Sequence, residues 1–209
     1  MDITWLGHAA MRVRTRQAAV VMDPTDKSTG IDMGRPTGEI VTISRHHPQH
    51  DFVKGVKGDP IVIDGPGEYE VQGVQIEGIR ALWPANDGET AEPTAFYILE
   101  AEELRFAHLG GLGQPPTPRQ AEWLAGVDIL ILPIALPGGL DAAGVARVAR
   151  QVEPSLVIPV AYSGDRQAPE LKAFLEAMGL EPEEPVSRLT VNKRGLGDTP
   201  RVALLECRG

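Results

Sequence analysis

Cysteine is almost missing: Cys207 is the single thiol in 209 residues, which excludes an internal disulfide. Basic residues are scarce too, 20 Lys and Arg against 29 Asp and Glu for a net charge of −9, and none forms a dense cluster. Nucleic-acid binding rests on neutralising phosphates, so a nucleic-acid partner is not expected. Long apolar runs are absent. The greasiest stretch, residues 127–140, is broken by Asp128, Pro133 and Pro137 and is too short to cross a bilayer. The opening Met1-Asp2-Ile3-Thr4-Trp5 has no basic region leading into an apolar core, so no signal peptide is read and a cytoplasmic protein without a membrane partner is expected. Internal repeats are also lacking. What is abundant is punctuation, 23 Gly and 18 Pro set between apolar runs as turn residues. With 42% apolar and 23% charged residues, the composition is that of a folded globular chain with enough length for a sizeable core.

The first part of the chain reads as short strands over residues 3–6, 11–14, 18–22, 39–44 and 60–63, a meander or the edge of a sandwich. Residues 71–79 alternate as one strand, and residues 95–100 and 104–107 form a hairpin across Ala101-Glu102-Glu103. Helices come later. Thr117-Pro118 sets a capping hydroxyl before a first-turn proline and opens a helix ending at Gly126. Asp141 caps a second helix, whose Val145, Val148, Ala149 and Val152 share one face. Pro169 opens a third, with Leu171, Phe174, Leu175 and Met178 at the same spacing and Gly179 as its stop. Buried strands are expected at residues 128–133 and 155–160, and closing strands at 188–192 and 201–207. Strands, then helix–strand units, then strands again predict two sheets face to face with helices outside, an αββα sandwich of the α/β (α+β) class. Its functional loops would follow strand ends at Asp23-Pro24 and at residues 44–51, 83–87, 108–114 and 161–165.

Three of the five histidines fall in Ser44-Arg45-His46-His47-Pro48-Gln49-His50-Asp51. Imidazole beside carboxylate suits zinc, yet polar turn residues around Pro48 need no ligand role, and so short a segment cannot complete a site alone. Elsewhere the plain readings compete well. His8 fits either an anionic ligand or backbone partners, His108 a buried structural role, and Asp23 a turn cap or an orienter of a histidine. Asp64-Gly65-Pro66-Gly67-Glu68-Tyr69 reads as a tight turn, and Gly110-Gly111-Leu112-Gly113 lacks the helix that a phosphate loop requires. Cys207 reads as a small buried hydrophobe.

Ile3-Thr4-Trp5-Leu6-Gly7-His8-Ala9, Val21-Met22-Asp23-Pro24, the strand into the histidine loop, Asp64-Gly65-Pro66-Gly67-Glu68-Tyr69 and His108-Leu109-Gly110 occur in an order and spacing that span nearly the whole chain. Together they resemble the metallo-β-lactamase fold superfamily, in its branch of zinc-dependent hydrolases that includes the ascorbate-phosphate lactonase-like proteins. The resemblance implies one four-layer αββα domain over residues 1–209. It also implies a ligand motif Thr/Ser-His-x-His-x-Asp-His, and here the chain departs from it. Arg45 stands at the first histidine, His47 at the second, Gln49 at the acid and His50 at the last histidine. Further on, Trp83, Gly111 and Ala161 occupy places where the resemblance implies a histidine, a bridging aspartate and a final histidine, while Asp23 is kept.

Zinc wants at least three protein ligands, so the resemblance implies a cleft with no resident cofactor, its remnant donors being His47 and His50. Arg45 is expected to point into that cleft and pair with Asp23 or Asp51. The leading expectation is a non-hydrolytic scaffold that takes a small-molecule or anionic ligand between His8, Arg45, His47, His50 and Trp83. The rival is a divergent hydrolase of a small ester, lactone or phosphorylated substrate, using zinc or another divalent metal. A homo-oligomer paired through exposed strand edges is a third class.

Overall fold

The computed structural model describes residues 1–85, 90–197 and 199–208. The chain opens with β1 (Asp2–Gly7), β2 (Ala10–Arg14), β3 (Ala19–Met22), β4 (Ile40–Thr42) and β5 (Ile61–Ile63). It continues through β6 (Gly67–Val71), β7 (Val74–Trp83), β8 (Glu92–Ala101) and β9 (Leu104–His108). Then come α1 (Pro118–Leu124), β10 (Ile129–Pro133), α2 (Ala142–Val152), β11 (Leu156–Val160), α3 (Pro169–Met178), β12 (Leu189–Thr190) and β13 (Arg201–Val202). Among the described residues these strands form a six-stranded sheet in the order β12-β1-β2-β3-β4-β5 and a seven-stranded sheet in the order β13-β11-β10-β9-β8-β7-β6.

Alternation along the strands sends one set of side chains between the sheets. Ile3, Trp5, Met11, Val13, Val20 and Met22 meet Tyr97, Leu99, Phe106, Ile129 and Ile131 in the central core. The opposite face of the seven-stranded sheet, with Ile79, Phe96, Ile98 and Leu130, packs on Val145, Val148 and Ala149 of α2 and Leu171 and Phe174 of α3. Outside the six-stranded sheet, Val21, Val41 and Ile43 are covered by Met33, Phe52, Val53 and Val56, so loop residues and a short 3-10 turn at Val53–Gly55 form that layer in place of α-helices.

Helix starts follow the local code. Thr117 accepts from the Gln120 N–H while the Gln120 side chain accepts from the Thr117 N–H, a reciprocal cap, and Asp141 accepts from the Gly144 N–H at 2.7 Å. Gly179, at φ 68°, ends α3.

The structure corrects several expectations. Residues 71–79 are not one strand, because Gln72 and Gly73 both take positive φ (51° and 77°) and turn β6 back on β7. The stretch 64–69 is correspondingly a turn only as far as Pro66, since β6 begins at Gly67. Of the early strands, β1, β2 and β3 form an antiparallel meander as expected, but β3, β4 and β5 run parallel, which requires the long crossovers through residues 23–39 and 43–60. The closing strands are shorter than expected, and Cys207 is half-buried beyond the regular part of the last one.

The carboxyl ends of the parallel strands all discharge their loops at one rim. Tyr97 fastens the two sheets near that rim, its buried hydroxyl donating to the Ile43 carbonyl at 2.8 Å. Burial raises its pKa well above the ordinary value.

Candidate functional site

The rim is organised around one buried carboxylate. Asp23 leaves β3 at φ 47° and is fully buried, with Oδ1 accepting from the Ser44 N–H at 2.7 Å. Its Oδ2 accepts from Ser44 Oγ at 2.6 Å and from His50 Nδ1 at 2.9 Å. Because a carboxylate only accepts, Nδ1 of His50 carries a proton, and in the neutral ring Nε2 is the lone-pair nitrogen. Burial alone would raise the Asp23 pKa, but His50, His108 and Ser44 outweigh it and hold the carboxyl below the ordinary range.

The histidine loop is shaped by its own backbone. His50 N–H and Asp51 N–H both donate to the His47 carbonyl, at 2.7 and 3.1 Å, and the Asp26 N–H ties the loop down through the Pro48 carbonyl at 2.8 Å. This winds His47 and His50 to the same side, with ring centroids 6.2 Å apart at 63°. His46 is exposed, and Gln49 is half-buried, its N–H donating to His47 Nδ1 at 3.3 Å. Burial, helped by Arg45 and His50, lowers the His47 pKa.

Arg45 turns away from Asp23. Its Nε and Nη2 donate to Glu92 Oε2 at 2.8 and 2.6 Å, and the guanidinium lies 4.4 Å above the Trp83 ring centroid. The expected pairing with Asp23 or Asp51 is therefore replaced by one with Glu92, for a physical reason: Ser44 and His50 already occupy the Asp23 oxygens. Trp83 ends β7 buried against the loop glycines, where a methyl group on Gly113 would lie 2.8 Å from its Cε3. Of the loop expected at residues 83–87, Asn86 and Asp87 lie outside the described residues.

His8 sits in the turn between β1 and β2 at φ 45°, and its carbonyl accepts from Trp5 Nε1 at 2.7 Å and from the Ala161 N–H at 2.9 Å. That second bond fixes the loop after β11 to the loop after β1. Nε2 of His8 is buried without a hydrogen-bond partner among the described residues, and burial, with smaller contributions from His50 and His47, lowers its pKa. Ala161 itself takes φ 58°. His8, Asp23 and Ala161 thus adopt left-handed backbone around one rim, whereas Gln72, Glu102 and Glu103 do so in hairpin turns and Glu153 at a helix end. Such conformations are held where surrounding structure over-determines them. No sequence pattern announced this, since none of the three is a glycine.

Gly111 is not among the left-handed glycines; its constraint is space, an added Cβ falling 3.2 Å from Ser44 O and Oγ and from Thr94 Cβ. Gly110 is tighter, because a methyl group there would collide with Asp23 Oδ2 and sit 2.6 Å from His108 Cε1. The Gly110-Gly111 pair is therefore required by close approach to Asp23 and Ser44.

His108 ends β9 fully buried, and its Nε2 donates to the Ala9 carbonyl at 2.8 Å. Its Nδ1 has no hydrogen-bond partner among the described residues and lies 3.9 Å from Asp23 Oδ2. Burial lowers its pKa despite Asp23. The unfolded chain, with histidine near pH 6.5, consequently binds more protons than the folded one, and His108 withdraws stability as pH falls below about 6.5. His108→Gln keeps a donor for Ala9 and removes the titration, so its melting temperature should depend less on pH between about 7 and 5 than that of the unaltered protein. Equal slopes in thermal melts across that range would refute this role.

Among the described residues no group of three or more His, Cys, Asp or Glu side chains is placed to hold a metal ion. At the rim Asp23 takes only Nδ1 of His50, so the imidazoles of His47 and His50 are the nitrogen donors at the positions of the family motif, two where zinc takes three or four protein ligands, and the guanidinium of Arg45, bound to Glu92, supplies no donor to a cation. No helix among the described residues is long and apolar enough to cross a membrane.

Comparison with known proteins agrees with this architecture. The profile of the beta-lactamase superfamily domain matches residues 2–161. A UPF0173 metal-dependent hydrolase of Methanopyrus kandleri is 24% identical over 218 residues, covering 88% of this chain and 95% of its own length. The UPF0173 metal-dependent hydrolase of Brucella ovis is 32% identical over 109 residues, or 47% of this chain, and the match spans only 44% of that protein. Among solved structures, a Thermotoga maritima protein assigned as a Zn-dependent hydrolase of the metallo-beta-lactamase superfamily superimposes with a TM-score of 0.78 at 28% identity, over 99% of both chains. A metal-dependent hydrolase candidate from Parabacteroides distasonis, at 18% identity and a TM-score of 0.67, shares the fold.

Proposed function

Since this chain belongs to the beta-lactamase superfamily domain family, whose relatives here are named metal-dependent hydrolases, we propose that it is a non-hydrolytic relative that uses the former metal cleft to bind a ligand. One observation carries the reading. At the head of the histidine loop, where the resemblance places a metal-binding histidine, stands Arg45, fixed by Glu92 and stacked on Trp83. A guanidinium stays protonated at any physiological pH and offers donors only, so it repels a dication and attracts an anion. Without a metal-bound water the family's nucleophile has no source. His8, His47, His50 and Trp83 then remain as walls for a small anionic ligand.

The rival, a divergent hydrolase, draws support from the Asp23–His50 pair, which presents His50 in the tautomer suited to ligation through Nε2. Metal content separates the two. Elemental analysis of protein purified without added metal should find only traces of zinc, manganese and iron, and assays on a generic phosphodiester and a lactone should show no turnover. Near-stoichiometric metal, with turnover lost in His47→Ala or His50→Ala, would establish the hydrolase instead.

A further inference from the structure

The edge strands of the two sheets are not alike. β12 and β13 have two residues each, and β13 is further bridged by Pro182. β6 carries exposed Glu68 and Glu70, the usual charged guard of an edge. β5 differs: Ile61 is 52% and Val62 41% exposed, so a three-residue edge strand presents an apolar side chain to solvent on each face. Its backbone alternates as well. The Ile61 N–H donates to the Glu39 carbonyl and the Ile63 carbonyl accepts from the Ile43 N–H, both at 2.9 Å, so residues 61 and 63 bond inward to β4. The N–H and C=O of Val62 therefore point outward, and no strand or bridge among the described residues meets them.

We propose that β5 is a dimerisation edge, on which a second copy of this chain pairs antiparallel about a two-fold axis at Val62. The outward groups are self-complementary, since two Val62 residues facing each other exchange both of their hydrogen bonds. Other registers are hindered. Pro60 has no N–H to offer, and the register shifts by one residue between Thr37↔Lys57 and Ile40↔Ile61, with Gly58 at φ 105° inside the irregularity. Pairing at Val62 also sets Ile61 of each copy opposite Ile63 of the other, which covers the most exposed large apolar side chain of the described residues. Charge selects a second copy over a foreign strand. Lys54, Lys57 and Asp59 precede Val62 and Asp64, Glu68 and Glu70 follow it, all exposed, so an antiparallel two-fold brings the lysines of one copy toward the glutamates of the other. Asp59 approaches Asp64 of the other copy, a repulsion that the lysines must outweigh. So short an edge makes a small interface, for which a dissociation constant of roughly 1–100 µM is expected.

Sedimentation equilibrium of the full chain, over concentrations spanning that range, should show a monomer passing into a closed dimer. Val62→Pro removes the outward N–H and no bond to β4, and an edge position tolerates proline, so it should weaken the dimer at least ~10-fold in a protein that still melts cooperatively. If Val62→Pro fails to fold, Val62→Lys, which sets two ammonium groups opposite each other, should have the same effect. Leu82→Lys, at an exposed apolar residue of β7, should leave assembly unchanged. Position is read by cross-linking in a Cys207→Ser background. Hydrogen-bonded antiparallel neighbours have Cα atoms about 5.5 Å apart, within disulfide range, so Val62→Cys should oxidise to a covalent dimer. Ile61→Cys, which faces Ile63 of the other copy, should do so far less. A monomer at every concentration, growth beyond the dimer, a dimer that persists in a folded Val62→Pro or Val62→Lys variant, or equal cross-linking at positions 61 and 62 would overturn the proposal.

Discussion

A chain carrying Arg45→His, Gln49→Asp, Trp83→His, Gly111→Asp and Ala161→His together is expected to bind zinc at least ~100-fold more tightly than the unaltered protein, whereas Arg45→His alone should change affinity little, because zinc needs three or four converging donors. The structure makes the five positions unequal. Removing Arg45, 17% exposed, breaks its ion pair with the more exposed Glu92 and its stacking on Trp83, each worth about 0.5–1 kcal/mol. Ala161 already sits at φ 58°, a conformation that histidine enters more readily than most residues. At Gly111 the added carbon meets Ser44 and Thr94 atoms at 3.2 Å, so the loop must give by a few tenths of an ångström. Trp83 is the expensive site, since a buried tryptophan cut down leaves a cavity and large-to-small changes of this kind cost about 3–5 kcal/mol at the extreme. Zinc titration of the three proteins at neutral pH, with circular dichroism to establish that each is folded, decides the matter. Tight binding by the unaltered protein, or none by a folded fivefold variant, would show that the departures from the family motif are not what excludes the metal. Turnover in the fivefold variant is a separate question, because groups that orient each ligand must also be in place.

Asp23→Ala should lower stability by roughly 3–5 kcal/mol, the usual consequence of removing one partner from a buried charged network. Three donors lose their acceptor at once, the Ser44 N–H, the Ser44 hydroxyl and His50 Nδ1. Alanine also suits φ 47° poorly. For a domain of this size the loss corresponds to a fall of about 10 °C in melting temperature. Asp23→Asn keeps an acceptor and tolerates the left-handed backbone, so it should lose about half as much. Urea denaturation of the two variants checks both the sum and the order; a loss under ~1 kcal/mol in Asp23→Ala would mean the network is not structural. The pH dependence carries the same signature. The folded carboxyl titrates below its unfolded value, so its contribution is present above about pH 4 and is lost as pH falls through the folded pKa. Asp23→Asn should therefore flatten the acid limb of the stability curve.

The helices were legible because each is encoded within a few residues. Thr117, Pro118 and Gln120 write a cap, Val145 to Val152 write a buried stripe, and Gly179 writes a stop, all within reach of local backbone geometry. The hairpin at Glu102–Glu103 was legible for the same reason. Residues 71–79 misled because the two-residue reversal at Gln72-Gly73 is short enough to be read through as strand, although it shifts the alternation by one, Val71 and Val74 pairing on the same face. The histidine loop could be found by composition, and its departures by position. What the chain order could not supply is which groups meet. Glu92 lies 47 residues from Arg45, Asp23 lies 21 from Ser44 and 27 from His50, and the Ala161 N–H reaches back to the His8 carbonyl. Those encounters are set by parallel crossovers and by the stacking of one sheet on the other, which local propensity does not specify. Sequence by itself determined the helices, most of the strands and the family motif with its replaced positions; the tertiary structure alone decided that Asp23 is saturated by Ser44 and His50 and that Arg45 turns to Glu92 and Trp83.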